Sequence, residues 1–174
     1  MASGHRSRSR WSSSPDYQCP YCRKFFAETL TALKRDSIDT GKVRLVVRDL
    51  PLGFHKQAAP AAVASLCASE QGGFWPMRAR LFEAAQGVAA GEFESMAADI
   101  GLNASTFAAC VESQQKQALV TESRLSAEAM GITGTPTFVL GRSDDEAVAG
   151  DVIVGAQPYA AFKARIDLLL AEAG

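Results

Sequence analysis

Apolar residues recur at helical spacing over most of this chain and at strand spacing in three short places. From Cys22 to about Asp36, the residues Phe25, Phe26, Leu30 and Leu33 fall on one helical face. Thr40-Gly41 interrupts, and Val43 to Asp49 is a β-branched run closed by Pro51, which predicts a strand. Residues 55–130 then read as all-helical. Ala58 to Ser69 is Ala-rich, holds Pro60 in its first turn and ends at Gly72-Gly73. A second helix opens at Pro76 and runs to about Ala85, burying Leu81 and Phe82. Phe93 to Ile100 is a third, stopped by Gly101. Ser105 to Met130 is a long stretch, in one or two pieces, with Gly131 as its C-terminal cap.

Beyond Gly131 the period changes. Thr135 to Leu140 is a short strand, Asp144 and Asp145 fall in a turn, and Val152 to Val154 completes a hairpin. Pro158 to Ala171 is a final amphipathic helix with Phe162, Ile166 and Leu169 on one face. Residues 1–15 follow neither period. They alternate Arg and Ser and, taken alone, read as a disordered tail.

Composition narrows the field. A chain of 174 residues, 47% hydrophobic, suits one domain with a sizeable core. The net charge of -1 gives no bulk attraction to nucleic acid or to an acidic membrane. No apolar run approaches a membrane span, and no apolar segment follows the basic start to make a signal peptide. The four cysteines are Cys19, Cys22, Cys67 and Cys110, an even count that leans toward an oxidising compartment.

Cys19-Pro20-Tyr21-Cys22 carries the chemistry. Two cysteines three apart at a helix start can close a small disulfide ring. The free N–H groups and positive dipole of the helix end lower the pKa of the first thiol, so Cys19 is expected to be the exposed, low-pKa thiol that attacks a disulfide and Cys22 the shielded one. Cys22, one turn further on, can then resolve the mixed disulfide. Pro20 suits the first helical position, where its missing N–H costs nothing. The competing reading of C-x2-C is half a zinc site. That site needs two further ligands, and only His5 and His55 are available, while Cys67 and Cys110 lack close partners. Gly134-Thr135-Pro136-Thr137-Phe138 is the second element. A proline opening a strand is either an ordinary edge proline or a cis-proline that leaves the backbone of Thr135 free to pair with a bound chain.

The segments Asp16 to Arg23 and Gly131 to Phe138, with a helical insertion between them, resemble the DsbA-like thiol-disulfide oxidoreductases over about residues 16 to 172. The resemblance implies a thioredoxin-like α/β fold with an all-helical insertion. It implies Cys19 as nucleophile, Cys22 as resolving thiol and Pro136 as a cis-proline facing them, with Pro20, Tyr21 and Thr135 shaping the site. Pro-His between the cysteines is associated with the strongest oxidants of this family, so Pro20-Tyr21 implies a less oxidising couple. Phe74-Trp75 resembles a family core motif, but Pro76 and Arg78 stand where relatives often carry an acid and a His. His55 reads as a surface or helix-entry residue. Cys67 and Cys110 are either two buried free thiols or, in an oxidising compartment, a structural disulfide.

The family also carries an apolar central strand that runs into the cysteine pair and resembles Val-Glu-Phe-Ser-Asp. Its acid lies under the site and relays a proton to or from the resolving cysteine. Here Trp11-Ser12-Ser13-Ser14-Pro15-Asp16 stands in that place. Burying alternating arginines at the centre of a sheet is prohibitive, so the strand is expected to be missing. The genetic code offers an explanation. If Trp11 to Pro15 is TGG TCG AGT TCT CCx, the shifted frame reads Val-Glu-Phe-Ser, and one base at Pro15 restores the frame before Asp16.

The expected organisation is therefore residues 1–15 as a disordered or frameshifted segment, 16–54 and 131–174 as the thioredoxin-like core, and 55–130 as the insertion. The expected function is extracytoplasmic disulfide exchange with protein thiols and disulfides, using no cofactor beyond the Cys19–Cys22 disulfide. A membrane redox partner is a candidate for recycling the site; nucleic acid and metal are not expected partners. The alternatives are a reductase or isomerase of the same fold, an inactive product of a damaged gene, and a zinc-binding module.

Overall fold

Four strands make one mixed sheet: β1 (Ser9–Ser14), β2 (Val43–Val47), β3 (Thr137–Ser143) and β4 (Val148–Val154), in the order β2-β1-β3-β4. The computed structural model describes residues 9–84, 92–143 and 148–172. β1 runs parallel to β2, with Trp11 opposite Leu45, and antiparallel to β3, with Ser13 opposite Phe138. β3 and β4 form the expected hairpin, with Phe138 opposite Ile153. Asp144 and Asp145 of its turn lie outside the described residues.

The expectation of a missing central strand is overturned. Residues 9–14 form β1 and occupy the inner position between β2 and β3. The ladder needs only backbone N–H and C=O groups, which Ser and Arg supply as well as Val does. Pro15 ends the strand. Beyond it, Leu50 still donates its N–H to the Pro15 carbonyl at 2.8 Å. The side chains nonetheless show the misfit of this sequence to its place. Ser13 and Ser14 are buried, and the Ser13 hydroxyl has no hydrogen-bond partner among the described residues. Residues 1–8, including His5, lie outside the described part.

One continuous helix follows the cysteine pair. It comprises α1 (Pro20–Lys24), a wider-wound stretch Phe25–Leu30, α2 (Thr31–Leu33) and a second wide stretch Lys34–Ile38. Its buried face sets Phe25, Leu30 and Leu33 against Phe138, Leu140 and Ile153 of the sheet. The final helix α8 (Tyr159–Ala171) adds Phe162 and Ile166 to the same cluster. Phe25 and Phe162 both meet the ring of Phe138, at centroid distances of 4.6 and 4.9 Å.

Five helices lie between β2 and β3: α3 (Ala58–Ser69), α4 (Phe74–Glu83), α5 (Glu92–Asp99), α6 (Ala104–Glu112) and α7 (Gln115–Ala129). α3 is buried on nearly every side, which its alanines permit because small side chains let neighbours approach closely. α4 begins at Phe74 rather than at Pro76, which sits in its first turn. The long stretch before Gly131 is two helices, split where Gln114 takes φ 59°. These helices share a core with the cysteine segment: Tyr17, Cys19 and Cys22 pack in one cluster with Ala64, Met77, Phe82, Phe107 and Val120. Among the described residues no helix is long and apolar enough to cross a membrane.

Candidate active site at the Cys19–Cys22 turn

β1 delivers the chain to the site, and the turn Asp16–Cys19 starts the helix. Cys19 caps that helix with extended backbone, φ -74° and ψ 122°, and Pro20 is its first residue. The Cys19 carbonyl accepts from the Arg23 N–H at 3.1 Å, so the first turn is closed directly over the cysteine. Both thiols are free, which makes this the dithiol state.

Exposure does not separate the two sulfurs, since Cys19 is 5% and Cys22 2% exposed. The reading of Cys19 as the exposed thiol is corrected on this point, because the cis-proline loop and the insertion cover it. Hydrogen bonding separates them instead. The thiol of Cys22 bonds to the Cys19 sulfur and outweighs burial. With help from Thr135 and the N–H groups of Cys22 and Tyr21, it lowers Cys19 to a pKa of about 5. Burial, and then the bond to Cys19, push Cys22 far upward. One thiolate and one protonated thiol result, which suits a nucleophile and a resolving group.

The opposing wall comes from the other end of the chain. α7 ends at Ala129 and is followed by Gly131, φ 72°, whose left-handed turn lets the Ile132 N–H reach the Ala127 carbonyl at 2.9 Å. Ile132 then packs with Ala127 and Leu50, which fixes the loop. Thr137 Oγ1 donates to the Gly134 carbonyl at 2.6 Å. The Thr135–Pro136 peptide is cis, Pro136 is buried, and the Thr135 carbonyl lies 3.3 Å from Cys19 Sγ. Cys19, Cys22, Thr135 and Pro136 are thus brought together. Pro20 and Tyr21 lie outside the pair, exposed, with Tyr21 at 64%. Cys67 and Cys110 do not join them. They form a disulfide of Cα separation 5.7 Å that ties α3 to α6.

Several residues around the site were not expected there. Asp16 is buried, its N–H donates to Cys22 Sγ at 3.3 Å, and its carboxylate lies 2.9 Å from His55 Nδ1. His55 is therefore tied to the cysteine turn rather than being a plain helix-entry residue. Arg78 and Asp49 are both buried in the wall beneath Tyr17. Their signal in the sequence was weak. In the sequence Asp49 is the end of a predicted strand, and Arg78 is a departure from the His that relatives often carry. Ser13 occupies the place where the family resemblance puts an acid. Among the described residues, no group of three or more His, Cys, Asp or Glu could hold a metal ion.

A family model described as "Thioredoxin" matches residues 15–167. Among solved structures, the fold is similar to alpha-DsbA1 from Wolbachia pipientis, with TM-score 0.82 and 21% identity, over 98% of this chain and 89% of that one. It is also similar to BdbD from Bacillus subtilis, with TM-score 0.80 and 22% identity, over 97% and 90%. DsbA2 from Pseudomonas aeruginosa follows, with TM-score 0.74 and 24% identity, over 94% and 90%. A Na(+)/H(+) antiporter NhaA from Herminiimonas arsenicoxydans is 33% identical over 125 residues, 71% of this chain, and the match spans 19% of that protein's length.

Proposed function

The chain belongs to the thioredoxin family, with the DsbA-like fold that carries a helical insertion, and from that premise we propose that it is an extracytoplasmic thiol-disulfide oxidoreductase acting on protein substrates through Cys19 and Cys22. The observation that carries the reading is geometric: the Cys19 sulfur at a helix start, one turn before Cys22 and 3.3 Å from the Thr135 carbonyl beside a cis-proline.

The exchange balances as follows. A substrate thiolate attacks Cys19 Sγ of the Cys19–Cys22 disulfide, and Cys22 leaves as a thiolate that takes up a proton. A second substrate thiolate attacks the substrate sulfur of the mixed disulfide, and Cys19 leaves as the favoured thiolate. The substrate loses two electrons and the enzyme becomes the dithiol. Run backward, the same steps reduce or isomerise a substrate disulfide. Pro136 has no N–H, so the backbone beside it is open to an extended substrate segment, in the manner of strand addition. The extracytoplasmic setting is supported by the Cys67–Cys110 disulfide, since structural disulfides persist in oxidising compartments. No transport activity is carried over from the antiporter, of which the match covers 19%.

The test is oxidative refolding of a reduced substrate protein, alongside reduction of insulin, by the wild type, Cys19→Ala and Cys22→Ala. Wild type should be active, Cys19→Ala inert, and Cys22→Ala should accumulate a mixed disulfide with substrate. A wild-type chain that is folded and inert in both assays would support the damaged-gene reading instead. That reading is motivated by the unpartnered hydroxyl of Ser13 in the central strand.

A further inference from the structure

Asp16 has no exposed side-chain surface, yet it is a carboxylate three residues before Cys19. A buried charge is costly unless it is well bonded. Asp16 meets that condition with three donors. Oδ1 accepts from the Gln18 N–H at 2.7 Å, and Oδ2 accepts from the Leu52 N–H at 2.8 Å and lies 2.9 Å from His55 Nδ1. Its own N–H turns the other way, onto Cys22 Sγ at 3.3 Å. A second stitch runs in parallel, from the Gln57 N–H to Gln18 Oε1 at 2.6 Å. The cysteine turn is thereby fastened to the segment 52–57, and His55 is the one side-chain donor to the Asp16 carboxylate among the described residues.

We propose that Asp16 and His55 form a positioning pair that holds the Asp16 N–H on the Cys22 sulfur, so that His55, remote from the reacting atoms, sets the redox poise of the cysteine pair. The proposal rests on the exchange function above. The N–H···S bond is seen in the dithiol state, where it donates to the Cys22 sulfur and opposes the upward push of burial. A thiol or thiolate sulfur accepts such a bond better than a disulfide sulfur does. Whatever strengthens it favours the reduced form. Without His55, two backbone N–H groups are left to hold the buried carboxylate, and the turn relaxes at the loss of the third. His55 itself is 20% exposed at its side chain and packs edge-on against the exposed ring of Phe54, with centroids 4.4 Å apart. The other charged groups on its flank are Lys56 and Arg124, which line the same cavity of about 230 Å³, and Arg124 is engaged by Glu128. Asp49 is a further carboxyl within electrostatic reach of Asp16.

A purely structural pair would change the melting temperature of both redox forms and leave their ratio alone. The experiment therefore reads the ratio. The full chain is equilibrated with glutathione buffers, and dithiol and disulfide forms are counted by alkylation and mass, for wild type, His55→Ala, His55→Phe and His55→Asn. His55→Phe keeps a ring against Phe54 but has no donor, and serves if the alanine variant does not fold. His55→Asn offers an amide nitrogen where Nδ1 was. Loss of one hydrogen bond should shift the equilibrium toward the disulfide by about three- to tenfold in the Ala and Phe variants. His55→Asn should return it to the wild-type value. Wild-type ratios in both Ala and Phe variants, or an Asn variant displaced as far as they are, would overturn the proposal. A wild-type chain that never exchanges with glutathione would instead overturn the function on which it rests.

Discussion

Arg78 donates from Nη1 to the hydroxyl of Tyr17 at 3.3 Å, and both side chains are buried. The guanidinium lies 5.1 Å from the ring centre of Phe82 and 5.6 Å from that of Tyr17, with Phe26 and Trp75 just beyond. Four aromatic faces thus take the place of water around a charge. Asp49 shares this environment, and its Oδ1 has no hydrogen-bond partner among the described residues. Burial holds its carboxyl at about 7, from an ordinary 3.8, against the pull of Arg78 and with some push from Asp16. Arginine where relatives often have histidine is thus accommodated by rings and by a carboxyl that titrates near neutrality.

The sign of the pH effect follows from that raised value. The folded state holds the Asp49 proton more tightly than the unfolded chain does. Its stabilising share is full below about pH 4 and is lost as pH rises through about 7. A shift of this size corresponds to a few kcal/mol, roughly 4 at most. Asp49→Asn cannot titrate, so its unfolding free energy should not carry this decline. Urea unfolding of both proteins across the interval measures the difference. Parallel curves would show that Asp49 is ionised and well solvated in the native state.

Cys19 should titrate near 5, and its largest support is the thiol of Cys22. Cys22→Ala should therefore raise the Cys19 value markedly, although its burial and helix start are unchanged. The ultraviolet absorbance of the thiolate, followed against pH in both proteins, reads this directly. Because the folded value is depressed, the reduced protein gains stability relative to the disulfide form as pH rises toward about 9, and loses it as pH falls through about 5. An equal Cys19 value in wild type and variant would move the cause to the helix end alone.

The Cys67–Cys110 bridge closes a long loop, with 43 residues of sequence separation, across the insertion. In the chain-entropy treatment such a link stabilises the fold by about 4 kcal/mol. Replacing both cysteines by serine should lower the unfolding free energy by roughly that amount or somewhat less. Exchange activity should survive below the melting point, because the bridge ties α3 to α6 and takes no part in the Cys19–Cys22 exchange. Loss of the cysteine-pair activity in a still-folded double variant would show that the insertion is coupled to the chemistry.

Much of this architecture was legible in the chain. The Phe25, Leu30 and Leu33 spacing found the helix after the cysteines, and the period change after Gly131 found the hairpin. Cys19, Cys22 and Pro136 announced themselves because small spacings and a proline at a strand start have few other uses. β1 was not legible, because its pairing is backbone ladder and its side chains argue the other way. Asp16, His55, Asp49 and Arg78 were hidden for a different reason. A charged residue shows in sequence as polar, and only the three-dimensional partners reveal that it is buried and bonded. The split at Gln114 left no signal either, since a non-glycine residue at positive φ breaks the expectation that glycine marks such turns.

The last prediction concerns that central strand. Ser13 is 4% exposed, with its hydroxyl unpartnered, opposite Val47 on one side and Phe138 on the other. An unsatisfied buried hydroxyl costs about 1–3 kcal/mol, and two added methyl groups would contribute about 0.8 kcal/mol each if the space exists. Ser13→Val should therefore raise the unfolding free energy by about 2 kcal/mol or more. Ser13→Glu makes the opposite trade. It places a carboxyl in an apolar site and should destabilise the fold, while supplying the acid that the family resemblance puts beneath the resolving thiol and so speeding exchange at Cys22. A third chain with Val-Glu-Phe-Ser at positions 12–15 adds an aromatic ring where Ser14 is buried, and should recover the stability that Glu costs. Melting curves and exchange rates of the three are compared with the parent chain. If Val lowers the melting temperature and Glu leaves the rate unchanged, the serines are native to this strand and the frameshift reading falls.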